Sequence, residues 1–498
     1  MQGPTFSDIH YQKYKETNNS NLFEEIIDML MMDKHLGLDD ETIDYILNED
    51  KLENKRLNIL AFILKPHCVE IRDSFKKLRD ISTKMEYLKE SLLLLNKYIE
   101  VGQQEKKKYG EVFTPLSLVK DMVSNLPNDV WSNPNLKWLD PANGMGNFPL
   151  VVIYKLMKGL EQWEPDPNKR YKHIIENMIY VCELQPKNSF MYLSLVDPID
   201  DLAVNLYCGS FLDDGFDKHK REVWNVDKFD IVMGNPPYNG AEKGGGNSLW
   251  DKFIRKVLKN ILSDNGHLLF VNPSAWRKPP SPRSKTRDLW KLMTSDNQLK
   301  YLEIHSSKDG QKVFNAGTRY DLYLIERAKK YENSIIIDEL GEENIIDCDE
   351  WLFMPNYNID KVRNILGDGA DIIFDRSMYA SDKDITSNEK DEEYKYELIH
   401  STPKKGIRYM YSNEIIGHFG VPKVIFGESG INHVVIDMEG KYGITNSSMG
   451  IKVDSLEDAE KLKEYLLNDF SDIIKGCMWG NFRIDWRLFK YLKKEFWK

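Results

Sequence analysis

Phe229-Asp230-Ile231-Val232-Met233-Gly234-Asn235-Pro236-Pro237-Tyr238 is the stretch from which the fold can be read. Its first half is a short apolar run with β-branched residues, which predicts a buried strand. Its second half is a stiff turn that starts with an amide and ends in an aromatic ring. The same grammar recurs on either side. LKWLD (136–140) runs into PANGMG (141–146), MIYVCEL (178–184) into QPKN (185–188), and HLLFV (267–271) into NPSAW (272–276), each followed by a helical stretch. Alternation of strand, loop and helix predicts an α/β Rossmann-like parallel sheet with helices on both faces, and ligands gather at the carboxyl ends of such strands. All these turns fall at that edge.

Outside this block the pattern changes. Residues 1–105 are dominated by helix formers with apolar positions three and four apart, as in NLFEEIIDMLMMDKHLGL (21–38), which predicts a helical N-terminal region for packing or dimerisation, without a catalytic role. From 331 to 498 the alternation is lost. IIIDEL (335–340), KVIFGES (423–429), HVVIDMEGKYGIT (433–445) and SMGIKV (448–453) read as strands with glycine turns, so a separate α+β domain is expected behind a central domain at 106–330. No internal repeat is visible.

Composition narrows the function classes. At 498 residues the chain has material for several domains and a large core, which excludes a small disulfide scaffold. The 68 Lys and Arg against 79 Asp and Glu give a formal charge of −11, so a nucleic-acid partner needs a local basic surface. The five cysteines are scattered without a CxxC pair, which argues against zinc ribbons and structural disulfides and for a reducing compartment. The start MQGPTFSDIHYQKYKE carries no signal-peptide pattern and no apolar run reaches membrane length. A soluble cytoplasmic protein without a metal site is expected.

Three turns carry chemistry. In Asp140-Pro141-Ala142-Asn143-Gly144-Met145-Gly146-Asn147-Phe148, two glycines let the backbone approach a ligand ahead of a helix N-terminus. Asp140, placed before the glycines, suits a ligand with a cationic amino group better than a pyrophosphate. Glu183 ends the next strand, where an acid suits the two hydroxyls of a ribose. At the third turn, the Asn235 side-chain oxygen and the Pro236 carbonyl can accept both N–H bonds of an exocyclic nucleobase amine. That favours a pyramidal nitrogen and frees its lone pair to attack a methyl group, while Pro237 stiffens the turn and Tyr238 can stack on the base.

Asn-Pro-Pro-Tyr after a strand, downstream of DPANGMGNF and of YGEVFTPLSLVKDM (109–122), resembles the gamma class of adenine-N6 DNA methyltransferases of restriction-modification systems. The resemblance covers about 106–330, with the region behind it in the place of a target-recognition domain. It implies S-adenosylmethionine as methyl donor. Thr114 and Pro115 would line its methionine end, Asp140, Pro141, Ala142, Asn143, Gly144, Gly146 and Phe148 would cradle it, and Glu183 would hold its ribose. The class carries an acidic residue before Phe at the cofactor's adenine. This chain has Ser210-Phe211, so either Ser210 makes that contact or Asp213 reaches back. By the same resemblance, Phe314 in VFNAG (313–317) would stack on the target base opposite Tyr238. The stripe Leu249, Phe253, Val257 and Ile261 is read as core.

Double-stranded DNA is then the expected partner, with a flipped adenine as target. Six basic residues and one acid in RKPPSPRSKTRDLWK (277–291) make Arg277, Lys278, Arg283, Lys285 and Arg287 the candidates for phosphate contact. The loop GAEKGGGNS (240–248) is a second candidate. Cytosine-C5 chemistry is excluded because none of the cysteines lies in the catalytic turn, while cytosine N4 stays open. A protein-glutamine methyltransferase and a non-enzymatic DNA-specificity subunit are the rival readings. Residues 1–105 show no convincing nuclease motif, which predicts modification without cleavage. A cognate restriction endonuclease, and monomer or homodimer, are left open.

Overall fold

The structure is a computed structural model that describes residues 22–31, 40–48, 55–56, 58–59, 63, 114–197, 202–239, 248–281, 284, 286–374, 379, 384–480 and 483–498. Nine strands form its central sheet: β1 (Trp138–Asp140), β2 (Ile179–Glu183), β3 (Asn205–Cys208), β4 (Phe229–Gly234), β5 (Leu262–Pro273), β6 (Gln298–His305), β7 (Tyr320–Glu326), β8 (Ser334–Ile337) and β9 (Glu343–Ile346). Their order is β3-β2-β1-β4-β5-β7-β6-β8-β9. β3 to β5 are parallel, β7 runs antiparallel between β5 and β6, and β8 lies parallel to β6 with β9 folded back on it.

Alternate side chains feed two cores, as a sheet covered on both faces requires. On one face Leu139, Phe229, Val232, Leu268 and Phe270 pack with Phe253, Ile254 and Val257. On the other, Trp138, Ile231, Met233, Leu269 and Val271 pack under the helices Leu116–Ser124, Asn147–Gly159 and Pro186–Val196. The N-terminal helix Leu22–Met31 packs against Pro186–Val196, so this part of the N-terminal region adds to a core. Most of residues 1–105, with the readings on dimerisation and on a nuclease, lies outside the described residues.

Sequence places the end of the central domain at 330, but the sheet runs on to Ile346. Ile335, Ile336 and Ile337, assigned by sequence to the third domain, form β8 and pair with Tyr301, Leu302 and Glu303. Strand propensity marks a strand and not its sheet, and this register is set by burial of Ile336 at 0% exposure. Beyond it, two four-stranded sheets follow. One has the order β10 (Ile372–Ile373), β17 (Ser448–Lys452), β14 (Lys423–Gly427), β15 (Val434–Asp437), and the other β11 (Thr386–Ser387), β13 (Arg408–Ser412), β12 (Tyr396–Ser401), β16 (Gly443–Ile444). With the helices Leu456–Leu467 and Phe470–Gly476 they form the α+β arrangement expected. One continuous apolar cluster joins Leu139 of the large sheet to Phe496 near the C-terminus. No helix among the described residues is long and apolar enough to cross a membrane.

Candidate functional site

A cleft opens at the carboxyl ends of β1 to β4, where the strand order reverses between β1 and β4. It holds about 970 Å3 of empty space with its open mouth included. Six separate stretches of sequence meet there.

Asp140 ends β1 at 1% exposure. Its Oδ1 accepts the Ala142 N–H at 3.0 Å, while its Oδ2 is buried without a partner. Burial pushes the carboxyl up to about 7, against the pull of the Ala142 N–H. Gly234, across the sheet, allows this: a Cβ there would sit 2.8 Å from Asp140 Oδ1. The loop that follows turns through Gly144 at φ +56° and Gly146 at φ +98°. A Cβ at Gly146 would lie 2.5 Å from the Tyr192 ring, so the loop lies flat on the helix Pro186–Val196.

Glu183 sews two loops together. Its Oε2 accepts the Gly144 N–H at 2.7 Å and its Oε1 the Gln185 N–H at 2.8 Å. Asn188 Nδ2 also reaches Oε1, at 3.5 Å. Pro141, Ala142, Asn143, Gly144, Phe148 and Glu183 line the cleft with Thr114 from the segment before the glycine loop. Ser210 and Phe211 line it after β3, and Phe211 stacks on Phe253 at 5.1 Å. Asp213 is exposed and does not line the cleft, so of the two polar candidates the geometry brings in Ser210. Asp140 and Gly146 stand behind the lining, and Pro115 caps the helix Leu116–Ser124.

The third turn brings Asn235 and Pro237 to the same cleft, with Pro236 buried beside them. Asn235 Nδ2 donates to Thr114 Oγ1 at 3.0 Å, and its Oδ1 is buried without a partner. Tyr238 is half-buried, and its Oη lies buried without a partner. Burial, together with Tyr320 and Asp321, pushes this phenol well above its ordinary range. An isolated bridge from Asn239 to Ser248 closes the glycine-rich loop, whose residues 240–247 lie outside the described residues.

Four predicted site residues stand elsewhere. Phe314 is 7% exposed, packs edge-on against Tyr320 at 4.9 Å, and belongs to the core with Met233 and Leu269. The helix Ser307–Phe314 ends at Asn315 in the left-handed region, which points its last apolar residue inward. Arg277 is fully buried: its guanidinium grips Asp321 at 2.7 and 2.9 Å and the Met354 and Pro355 carbonyls at 3.0 and 3.2 Å. It is therefore no phosphate contact. Lys278 faces a second cleft with Arg483, Asp485 and Arg487, and burial lowers its ammonium. Arg287 is exposed, and Arg283 and Lys285 lie outside the described residues.

Sequence reading missed Asn147, Gln185 and Asn188, which line the cleft at helix starts directly behind its turns. Their position after a glycine and after Glu183 was the available signal. Leu249 and Phe253 also line it, because a stripe at helical spacing looks the same whether it meets a core or a cleft.

Asp140 gives the unliganded protein a measurable pH dependence. Its folded value of about 7 lies above that of an ordinary aspartate, so this group favours the folded state at acid pH and that advantage is lost as pH rises through about 7. Relative to Asp140→Asn, the wild type should lose about 2 kcal/mol between about pH 5 and pH 7. Chemical denaturation of both proteins across that range measures it. A difference independent of pH would show that Asp140 is not buried unpaired.

Residues 210–314 match the model of the Eco57I restriction-modification methylase family. An uncharacterized adenine-specific methylase of Mycoplasma pneumoniae is 25% identical over 315 residues, 49% of this chain and 71% of its own. A modification subunit assigned to a type I restriction enzyme of Vibrio vulnificus is 17% identical over 52% of this chain, with a TM-score of 0.36. The match covers 53% of that subunit, so this chain spans about half its length. The type IIL restriction-modification enzyme MmeI, solved in complex with DNA, is 12% identical over 73% of this chain and 65% of its own, with a TM-score of 0.46. The segment that carries β4 and the Asn235–Tyr238 turn is thus similar in sequence to the Eco57I restriction-modification methylase family, and it supplies part of the wall of the cleft at the carboxyl ends of the strands.

Proposed function

We propose that this chain transfers a methyl group from S-adenosylmethionine to the N6 amine of an adenine flipped out of double-stranded DNA, as the modification component of a restriction-modification system. The observation that carries this reading is the Asn235 Oδ1, an unpartnered buried acceptor in the wall of the cleft at the strand ends.

The residues present fit the donor. Asp140 Oδ2 and Asn143 Oδ1 are buried acceptors without partners, a set that suits the cationic amino group of the methionine end. Glu183 stands in the cleft wall at the end of β2, where it would meet the ribose, and Ser210 and Phe211 offer a hydroxyl and a ring to the adenine. When bound, S-adenosylmethionine supplies a methyl group on a positively charged sulfur. Asn235 Oδ1 accepts one N–H of the target amine and the Pro236 carbonyl accepts the other, which localises the lone pair on nitrogen. Tyr238 offers a stacking face to the extruded base.

The test is to incubate the purified chain with methyl-labelled S-adenosylmethionine and DNA, and to sequence the DNA of an expressing host for modified bases. Label on DNA at adenines of a single short motif supports the proposal. Label on protein would favour an amide methyltransferase, and binding of the donor without transfer would favour a specificity subunit.

A further inference from the structure

We infer that the second cleft, between Lys278 and the tail residues 479–487, seats a phosphodiester of the DNA backbone on the Lys278 ammonium; this rests on the DNA methyltransferase reading above. Lys278, Arg483 and Arg487 line that cleft together with Asp485. Each guanidinium has a carboxylate of its own. Arg487 Nε donates to Asp485 Oδ1 at 2.7 Å and its Nη2 to Oδ2, and Arg483 Nη1 stands 3.3 Å from Oε2 of the buried Glu428. Lys278 is half-buried and has neither a hydrogen bond nor an ion pair among the described residues. Asp485 attracts it only through space, burial lowers its ammonium, and Arg487 and Arg277 push the same way. A charge withdrawn from water is normally paired, so the counter-ion of this one comes from another molecule.

The seat is rigid. Lys278 follows Arg277, whose carbonyl accepts the Met354 N–H at 2.9 Å and whose guanidinium holds Asp321 and the Met354 carbonyl. That same carbonyl accepts the Trp479 Nε1–H at 2.7 Å, so Met354 ties both walls. The Ile484 N–H donates to the Glu428 carbonyl at 2.8 Å and holds the tail in place. Trp479 and Ile484 are buried apolar walls beside the ammonium, and such walls strengthen its pull on an anion. The seat is also in the right place. β5 runs parallel to β4 with Phe270 beside Gly234, so Pro273 and the turn Ser274–Arg277 leave the sheet at the edge where β4 delivers Asn235. A duplex that presents a base to Asn235 lies along this edge, and phosphate contacts are what set its register there. With a formal charge of −11 on the chain, an unmatched local cation is what an approaching polyanion needs.

Lys278→Gln removes the charge and keeps a polar side chain. Equilibrium binding of the full chain to a labelled DNA duplex, followed across salt concentrations, should give a slope of log K against log[salt] shallower than wild type by about 0.9, the share of one phosphate. Affinity should fall about three- to tenfold on every duplex sequence alike. Lys278→Arg should keep the wild-type slope. The Kd for S-adenosylmethionine should stay within about twofold, and the unfolding midpoint of Lys278→Gln should not fall, because no internal partner is lost. A wild-type slope in Lys278→Gln would overturn the inference and leave the methyltransferase reading in place. Equal losses in Lys278→Gln and Lys278→Arg with lowered midpoints would overturn it too, by marking a structural lysine. Protection of Lys278 from acetylation by inorganic phosphate and not by duplex DNA would assign the cleft to a free phosphate, against the inference. If the wild-type chain binds duplex DNA and transfers no methyl to it, the functional reading falls and the slope decides this contact alone; a wild-type chain that binds no duplex overturns both.

Discussion

Asn235→Ala should lower the methyl-transfer rate by about 10³-fold and leave the affinity for S-adenosylmethionine within about threefold. The size follows from what the amide oxygen would do. A nucleobase amine is a weak nucleophile because its lone pair is shared with the ring, and an acceptor that holds an N–H as the nitrogen becomes pyramidal acts on the transition state far more than on the bound substrate. Removing one preorganised group of this kind costs about 10² to 10³ in kcat, roughly 3 to 4 kcal/mol. Asn235 is at the upper end because its Oδ1 is buried and its side chain is already held by a hydrogen bond to Thr114, so little reorganisation is needed when the amine arrives. The donor's amino-acid and ribose ends would meet Asn143 and Glu183 in the cleft wall, which the substitution does not touch, hence the small effect on its affinity. Single-turnover kinetics with calorimetry on the same preparation separate the two. A variant within tenfold of wild type would show that the oxygen does not face the reacting nitrogen.

Much of the site was legible because chemistry and strand ends coincide in this fold. Each apolar run, 136–140, 178–184 and 229–234, delivers its polar residue at the carboxyl edge, and parallel pairing of β1 with β2 and β4 brings those ends together. Asp140, Glu183 and Asn235 could thus be named from local pattern alone. Contacts that depend on distant partners could not. Phe314 lies in a segment that reads equally as a ring over a base or as core, and the turn at Asn315 decides for core. Leu249 and Phe253 share a stripe with Val257 and Ile261, and only the position of the glycine loop opposite them opens half of that stripe to a ligand. β8 carries no mark of the sheet it joins, since its register with β6 comes from burial across the whole sheet.

Arg277 shows the limit most clearly and carries the largest expected effect on stability. Six positive charges in fifteen residues suggest a surface that meets phosphate, yet the first of them is 0% exposed and makes five hydrogen bonds. Two of them hold Asp321 on β7 bidentately, a geometry only a guanidinium can match. The others reach Met354 and Pro355 carbonyls and Asn356 Oδ1. Asn356 in turn takes up the Gly476 carbonyl through its N–H at 2.6 Å, so Arg277 ties the central sheet to the helix Phe470–Gly476. Burial raises the Asp321 carboxyl and Arg277 pulls it back down. Arg277→Met should therefore cost about 3 to 5 kcal/mol, the price of an uncompensated buried carboxylate. Arg277→Lys should recover only part, because one ammonium cannot replace the fork. Adding Asp321→Asn to Arg277→Met removes the stranded charge, so the double variant should be more stable than Arg277→Met alone, with a coupling energy of at least about 1 kcal/mol. Denaturant unfolding of the four proteins measures the cycle. If Arg277→Met instead weakened DNA binding with its unfolding midpoint unchanged, the buried ion pair would be the wrong account of this residue and the phosphate contact the right one.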